Sequence, residues 1–186
     1  GLHSLRANAS HLTHLMPLWL RIGADAKSLD TRDWNLTWTP HNRDVLRIAN
    51  DQHVKVMPVL SNAHEGVFDT RLAHEVLTHP SHQLALAAEL RDWLVRHRFA
   101  GVNVDLENLS EADARLVPVF LERIARTLHP AGLQVSADLE AEGNVPDARA
   151  VARAVDFVVL MAYDQHYMAG DAGPLCGADW NERAHG

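Results

Sequence analysis

The sequence predicts an α/β protein in which parallel strands alternate with helices. Short apolar runs of strand character recur along the chain, and longer segments of helical periodicity separate them. Five such strands fit either an open doubly wound sheet or part of a closed (β/α)8 barrel, which needs about 250 residues when complete. The length of 186 residues favours the open sheet. Acidic residues at strand ends, and the absence of GxGxxG or GxxxxGK(S/T) after any strand, favour the barrel.

Five runs are predicted as strands because Val, Leu or Met fills both faces of each, as in buried parallel strands. In chain order they are Leu12–Ile22, Val54–Leu60, Gly101–Leu106, Leu133–Leu139 and Phe157–Ala162. No repeat, low-complexity tract or linker interrupts the series. Residues 1–186 are therefore predicted to form a single domain.

Four helices are predicted where a capping residue or a proline precedes apolar residues at helical spacing. They begin near Thr39 and Pro40, at Ser81, at Ser110 with Asp113, and at Pro146. The two clearest apolar stripes are Leu86, Leu90, Trp93 and Leu94 in the second helix, and Val117, Phe120, Leu121, Ile124 and Leu128 in the third. Each stripe is one-sided, as expected for a helix that packs on a sheet.

The composition argues against several classes of protein. With 47% apolar and 22% charged residues, the chain has the balance of a globular protein and not of a disordered one. Its formal net charge of −7 argues against nucleic-acid binding, which needs clustered Lys and Arg. No run approaches the ~20 apolar residues of a membrane span. Cys176 is the only cysteine, so the sequence offers neither an internal disulfide nor a Cys-based zinc site.

The third predicted strand has three polar residues at alternate positions, Asn103, Asp105 and Glu107. Because side chains alternate across a strand, all three share one face, with neighbours roughly 6.6 Å apart. Two carboxyls this close repel each other and lose solvent, so we expect one pKa to rise and the pair to titrate together. A carboxyl that keeps its proton near neutral pH can act as a general acid. A solvated strand end, or a salt bridge to a neighbouring Arg, is the structural alternative.

Two motifs resemble a known enzyme family. The run GVNVDLE, residues 101–107, resembles the DGxDxDxE signature of glycoside hydrolase family 18, the chitinase-like (β/α)8 enzymes. MAYD, Met161–Asp164, resembles the second signature of that family, and one further βα unit separates the two, as it does there. Three stretches of the sequence are similar to the bacterial spore-cortex-lytic subgroup and to chitinase-like domains fused to polysaccharide deacetylases. They are HLTHLMPLWL, FAGVNVDLENL and VVLMAYDQHY.

The resemblance implies a fold and a chemistry. The five strands would be about strands 2 to 6 of a (β/α)8 TIM barrel, an incomplete catalytic domain within a longer chain. Glu107 would be the general acid, and Asp105 would orient the 2-acetamido group of the substrate and stabilise its oxazolinium ion. Tyr163 and Asp164 would help to hold that group, with Met161 beside them. Such substrate-assisted retention uses no enzyme nucleophile, and the resemblance implies no cofactor.

Two residues depart from the family signature. Ala100 stands in place of its first Asp, and Asn103 in place of the middle Asp that would relay charge to Asp105. An Asn side chain can hydrogen-bond but cannot accept a proton. Asn is ordinary at this position in the spore-cortex-lytic subgroup that the chain resembles, so we interpret Asn103 as tuning the carboxyl pair and include it among the substrate-binding candidates. A weak enzyme, or a sugar-binding domain without catalysis, stays open.

Three further residues are substrate-binding candidates. Asp138 and Glu140, at the end of the fourth strand, share one face. They could bind sugar hydroxyls, work with Glu107 in an inverting scheme, or lie exposed at the rim. Trp19 could stack on a sugar ring or be buried between strand and helix. After the second strand, Asn62, His64 and Glu65 could border the cleft on a barrel-mouth loop, but a turn centred on Gly66, with Asn62 satisfying its backbone, is the favoured interpretation.

The chain has 13 histidines, which raises a metal hypothesis. The pairs closest to ligand spacing are His11 with His14, His79 with His82, and Asp164 with His166. None has a third ligand beside it in the sequence, and there is no HExxH motif, so no metal ligands are predicted.

Three functions are consistent with these patterns. The first is a glycosidase that cleaves β-linked N-acetylglucosamine polymers such as peptidoglycan or chitin-like glycans, which lie outside the cytoplasm and imply an extracytoplasmic location. The second is a carbohydrate-binding domain of the same fold. The third is a hydrolase or lyase that uses a divalent metal at Asp105, Glu107 and Asp138.

Overall fold

Strands and helices alternate along the chain in the computed structural model, which describes residues 1–34, 40–141, 144–163, 173–174 and 176–179. The strands are β1 (His14–Leu15), β2 (Leu20–Ile22), β3 (Leu29–Asp30), β4 (Lys55–Val56), β5 (Val59–Ser61), β6 (Ala63–His64), β7 (Val67–Phe68), β8 (Gly101–Asp105), β9 (Gln134–Glu140) and β10 (Phe157–Met161). The helices are α1 (Leu2–Asn8), α2 (Pro40–Asp51), α3 (Thr70–Thr78), α4 (Pro80–His97), α5 (Glu111–Ala114), α6 (Val117–Leu128) and α7 (Ala148–Ala154). Short 3-10 helices cover Ala9–His11, Arg32–Trp34 and His129–Ala131.

The main sheet has the strand order β10-β9-β8-β5-β2-β3. All neighbours in it are parallel except β2 and β3. The parallel strands thus lie side by side in chain order, as successive strands of a (β/α)8 barrel do. A doubly wound sheet would reverse its order at a switch point. The predicted partial barrel is confirmed, and the open doubly wound alternative is wrong for the described strands.

Prolines divide the first two predicted strands. Leu12–Ile22 forms β1 and β2 on either side of Pro17, and Val54–Leu60 forms β4 and β5 on either side of Pro58. Hydrogen bonding continues past the first break, because the Val59 N–H donates to the Pro17 carbonyl at 2.8 Å. Proline lacks an N–H group but keeps its acceptor, so it interrupts a ladder without separating the strands.

The predicted apolar stripes form the interface between helices and sheet. All nine side chains of the two clearest stripes, in α4 and α6, are buried. Ser110 caps α5 as predicted, since its side chain accepts a hydrogen bond from the Asp113 N–H at 3.1 Å. None of the described helices combines the length and apolarity that crossing a bilayer requires.

The helix boundaries differ from the prediction in several places. The helix predicted from Ser110 is divided into α5 and α6, and the helix predicted at Pro146 begins at Ala148, after the Asp147 cap. Helix α4 begins at Pro80, with His79 and not Ser81 at its cap, because proline fits the first helical turn. Helix α3 was not predicted, although its cap has an ordinary signal: the Asp69 side chain accepts from the Leu72 N–H at 2.9 Å.

Trp19 belongs to an aromatic cluster at the amino ends of β2 and β8. Its ring packs against those of Trp34 and Phe99, with centroids 4.8 and 5.9 Å away, and Trp93 completes the cluster. Its indole N–H donates to the Asn42 side chain at 3.0 Å. Trp19 is only 5% exposed. The sugar-stacking role predicted for it is therefore wrong, because its ring is already covered by protein.

Candidate active site

A cleft of about 550 Å³ opens at the carboxyl ends of the parallel strands. Six of the nine predicted site residues line it: Asn103, Asp105, Glu107, Asp138, Met161 and Tyr163. Arg21, Ser61 and Phe68, which the sequence did not single out, line it too. Strand ends of a parallel barrel are where binding residues from separate strands meet.

Strand β8 positions the polar face of the cleft. Asn103, Asp105 and Glu107 lie on the cleft side, whereas Val102 and Val104 are buried in the core with the helices. Gly101 allows β8 and β9 to come close, because a Cβ there would lie 2.0 Å from the Gln134 carbonyl oxygen. The alternating pattern and one glycine thus place the carboxyls.

Asp105 is a strongly perturbed acid of the cleft. Burial, followed by the charges of Glu107 and Asp138, raises the pKa of its carboxyl to about 8. A hydrogen bond with the Glu107 side chain acts in the same direction. Its Oδ1 atom is buried and makes no hydrogen bond. As the sequence predicts, burial and a neighbouring like charge raise the pKa of one carboxyl of this pair.

Asn103 links β8 to β9 through its side-chain amide. Its Nδ2 group donates to Asp138 Oδ2 at 2.7 Å, and its Oδ1 atom accepts from the Ser136 hydroxyl at 2.6 Å. Burial raises the pKa of Asp138 to about 6, and the hydrogen bond from Asn103 opposes that rise. Asn103 is 1% exposed. Its amide is therefore fixed between two partners on the neighbouring strand.

Asn62 holds the main chain of Glu107. Its Oδ1 atom accepts from the Glu107 N–H at 3.2 Å, and its Nδ2 group donates to the Glu107 carbonyl at 3.1 Å. The same Nδ2 group donates to the Asp69 carbonyl at 3.2 Å. Asn62 is fully buried. The sequence indicated a turn-forming residue here, but not that its partner would lie 45 positions away.

A short hairpin forms one wall of the cleft. Strands β6 and β7 pair antiparallel around Glu65 and Gly66, both of which have positive φ, at 51° and 81°. Two consecutive positive φ angles are typical of a tight two-residue hairpin turn, for which glycine is well suited. Gly66 and Phe68 of this hairpin line the cleft. The predicted turn at Gly66 is thus part of the cleft wall.

Besides Trp19, two predicted site residues are not placed in the cleft. Glu140 is two positions beyond Asp138 on β9, and burial raises its pKa, but it does not line the cleft. It pairs in register with Met161 of β10. Asp164 lies outside the described residues.

A third potential ligand joins His79 and His82 in space. Ligand atoms of Glu75, His79 and His82 lie within 4.8 Å of one another, a grouping that the sequence analysis did not predict. The two imidazole rings are stacked, with centroids 4.9 Å apart and planes at 22°. Because a metal ion lies near the plane of each ring that binds it, two rings stacked face to face do not direct their nitrogens at one ion in this arrangement. His79 Nδ1 instead lies 2.9 Å from the Glu75 carbonyl, at the junction of α3 and α4.

No protein-family model matches the chain. Among curated proteins, the sporulation-specific glycosylase YdhD of Bacillus subtilis is 27% identical over 150 residues, which is 72% of this chain and 36% of that protein. The uncharacterized glycosylase YvbX of the same organism is 23% identical over 146 residues, which is 73% of this chain and 42% of that protein. The chain therefore spans well under half the length of either relative.

Solved structures share the fold over nearly the whole chain. A chitinase from Chromobacterium violaceum superposes with a TM-score of 0.85 at 24% identity, covering 98% of this chain and 58% of that one. The spore cortex-lytic enzyme SleL of Bacillus cereus gives a TM-score of 0.82 at 21% identity, covering 99% of this chain and 43% of that one. The resemblance to the chitinase-like family is confirmed. A further match, at a TM-score of 0.67 and 14% identity over 91% of this chain and 51% of that one, is an Ostrinia furnacalis chitinase domain in complex with a chitin oligosaccharide.

Proposed function

We propose that this chain is part of a glycosidase domain that hydrolyses β-linked N-acetylglucosamine polysaccharide, either peptidoglycan glycan or a chitin-like polymer. The observation that supports it most is the carboxyl pair Asp105 and Glu107 at the cleft, on the strand where chitinase-like enzymes have their acid. The named activities of the relatives, glycosylase, chitinase and cortex-lytic enzyme, agree with this substrate class. Such substrates imply an extracytoplasmic location.

In this proposal the reaction is substrate-assisted retention. Glu107 gives a proton to the leaving glycosidic oxygen, and the carbonyl oxygen of the substrate acetamido group attacks the anomeric carbon. Asp105 orients that acetamido group and stabilises the oxazolinium ion, and Tyr163 helps to hold it at the rim. A neighbouring amide oxygen that is already oriented has a high effective molarity, so the protein needs chiefly to position it and stabilise charge.

The test uses the full-length protein, its Glu107→Gln variant and, as a matched control, Glu111→Gln. Glu111 lies on α5, and its exposed side chain is paired with Arg115 outside the cleft. Each protein is incubated with N-acetylglucosamine oligomers and with their de-N-acetylated counterparts, and products are read by mass spectrometry. We expect cleavage of the acetylated set alone, a loss of about 10²–10⁴-fold in Glu107→Gln, and wild-type rates in Glu111→Gln.

Other outcomes favour the other candidate functions. Oligomer binding without cleavage by any of the proteins would indicate a carbohydrate-binding domain, for which Ala100 and Asn103 are the relevant departures. Cleavage abolished by a chelator would indicate metal chemistry at Asp105, Glu107 and Asp138. Equal cleavage of acetylated and de-N-acetylated oligomers would rule out participation of the acetamido group.

A further inference from the structure

Asn103 leaves the carboxyl pair without the relay acid that the chitinase-like signature places at this position. A middle Asp there would share a proton with Asp105, whereas an amide cannot take one up. The amide of Asn103 is nevertheless held in one orientation, with Ser136 donating to its oxygen and its nitrogen donating to Asp138. The Asp138 carboxylate is therefore hydrogen-bonded to the side chain at the position where the signature has an Asp.

We propose that Asp138 replaces the missing acid of position 103: it is a positioning residue that acts through Asn103 and through its charge on Asp105. This inference rests on the proposed function and deepens it. Asp138 and Asn103 both line the cleft, and their strands are adjacent, with Asn103 in register with Ser136. Compared with the family signature, the negative charge is carried by a residue of β9 and not of β8, and it acts on the same carboxyl pair.

The geometry gives Asp138 two roles. Its carboxylate accepts the Asn103 N–H and so keeps the amide oxygen turned toward Ser136. Its charge also opposes ionisation of Asp105, together with Glu107 and, more weakly, Glu140. Arg21 is a cation on the cleft wall and Tyr163 a further titratable side chain there. The negative charges of Asp138 and Glu107 thus favour the protonated form of Asp105, as the middle Asp of the signature would do.

Exchanging the amide of Asn103 and the carboxyl of Asp138 gives the sharpest test. In the full-length protein, Asp138→Asn removes the charge and keeps the shape. The double variant Asn103→Asp with Asp138→Asn restores one carboxyl and one amide in swapped positions. Glu140→Gln is the matched control, because it removes a half-buried carboxyl on the same strand that neither lines the cleft nor bonds to Asn103.

Two readouts are measured for each variant. The first is the pH profile of kcat/KM on N-acetylglucosamine oligomers. We expect Asp138→Asn to move its alkaline limb down by about one pH unit, since loss of a neighbouring charge lets the pair ionise earlier. The second is the Asp105 titration, followed by carboxyl ¹³C NMR, which needs no turnover. We expect the same downward shift there, a smaller shift in Glu140→Gln, and recovery of both readouts in the swapped double variant.

The two readouts separate the possible failures. An unchanged Asp105 titration in Asp138→Asn would overturn the proposal, whatever the activity. A lower rate without recovery in the double variant would also overturn it, because it would mean that Asp138 only contacts sugar hydroxyls. A shifted and recovered titration in a protein that cleaves none of the oligomers would support the proposal on Asp138 and contradict the proposed function.

Discussion

The two ends of β8 differ in the side chains that they bury. At its amino end, Phe99 packs in the aromatic cluster with Trp19, Trp34 and Trp93. At its carboxyl end, Asp105 and the following Glu107 face the cleft, with a buried oxygen of Asp105 that has no hydrogen-bond partner. One end removes apolar surface from water, which stabilises the fold. The other buries carboxyls, which costs stability and prepares them for proton transfer.

Truncating the aromatic cluster should give the largest loss of stability. Trp34 is 8% exposed and its ring contacts those of Trp19, Trp93, His97 and Phe99. Trp34→Ala should lower the free energy of unfolding by about 3–5 kcal/mol, measured by urea denaturation of the full-length protein. Leu84→Ala, an exposed truncation on α4, is the control and should cost below about 0.5 kcal/mol. Equal losses in both variants would mean that the cluster is not a stabilising core.

Neutralising Asp105, at the carboxyl end of β8, should raise the free energy of unfolding and not lower it, by an amount that depends on pH. The folded state raises the pKa of Asp105 to about 8 from a usual 3.8, so it binds a proton that the unfolded chain has released. The stability that this proton contributes is complete below pH 3.8 and is lost as pH rises through 8. Asp105→Asn removes this dependence. Relative to wild type, the free energy of unfolding of Asp105→Asn should rise by up to about 1.4 kcal/mol for each pH unit in that window. The variant should also lose turnover.

Denaturation curves at several pH values between 4 and 9 would check that slope. The exposed Asp92→Asn should parallel wild type throughout, since Asp92 pairs with Arg91 at the surface, where an ion pair contributes little. A wild-type protein that is no less stable at high pH than Asp105→Asn would contradict the assignment of a raised pKa.

Releasing the main chain of Glu107 should affect both stability and catalysis. Asn62→Ala removes the side-chain hydrogen bonds to the Glu107 N–H and carbonyl, and we expect a cost of about 1–3 kcal/mol. Because the acid would lose its fixed position, kcat should fall more than oligomer binding does. Asn8→Ala, which removes one exposed hydrogen bond to Ser4, is the control for both readouts. Unchanged kcat in Asn62→Ala would show that the β8 ladder alone positions the acid.

The smallest effect should come from the hairpin wall. Gly66 has φ of +81° and nothing within 4 Å of an added Cβ, so Gly66→Ala introduces backbone strain only, at about 1–2 kcal/mol. Gly132→Ala is a matched control, with φ of +74°, equally open surroundings and a position away from the cleft. Both variants should lose similar stability, and only Gly66→Ala should raise KM. A KM that rises in both would point to a global effect.

Local patterns predicted much of this molecule. The stripes of α4 and α6, the Ser110 cap and the shared face of Asn103, Asp105 and Glu107 each depend on residues within a few positions of one another. The prolines that divide the first two predicted strands and the Asp69 cap of α3 are local signals of the same kind. The sequence therefore contains the signals for these breaks and for this helix, although apolar periodicity alone does not predict them.

Other features depended on contacts between distant segments. Whether Trp19 faces the cleft or the core depends on Trp34 and Phe99, which the sheet brings to it. The hydrogen bond of Asn62 to Glu107 spans 45 positions, and that of Asn103 to Asp138 spans 35. The sequence by itself determined the α/β class and which predicted strand has the acids, because periodicity and side-chain alternation are local. The choice of a barrel over an open sheet depended on the resemblance of two motifs, and the strand order was shown by the sheet. Only the tertiary structure decided which polar groups meet, because strand register and burial are set when separate βα units pack together.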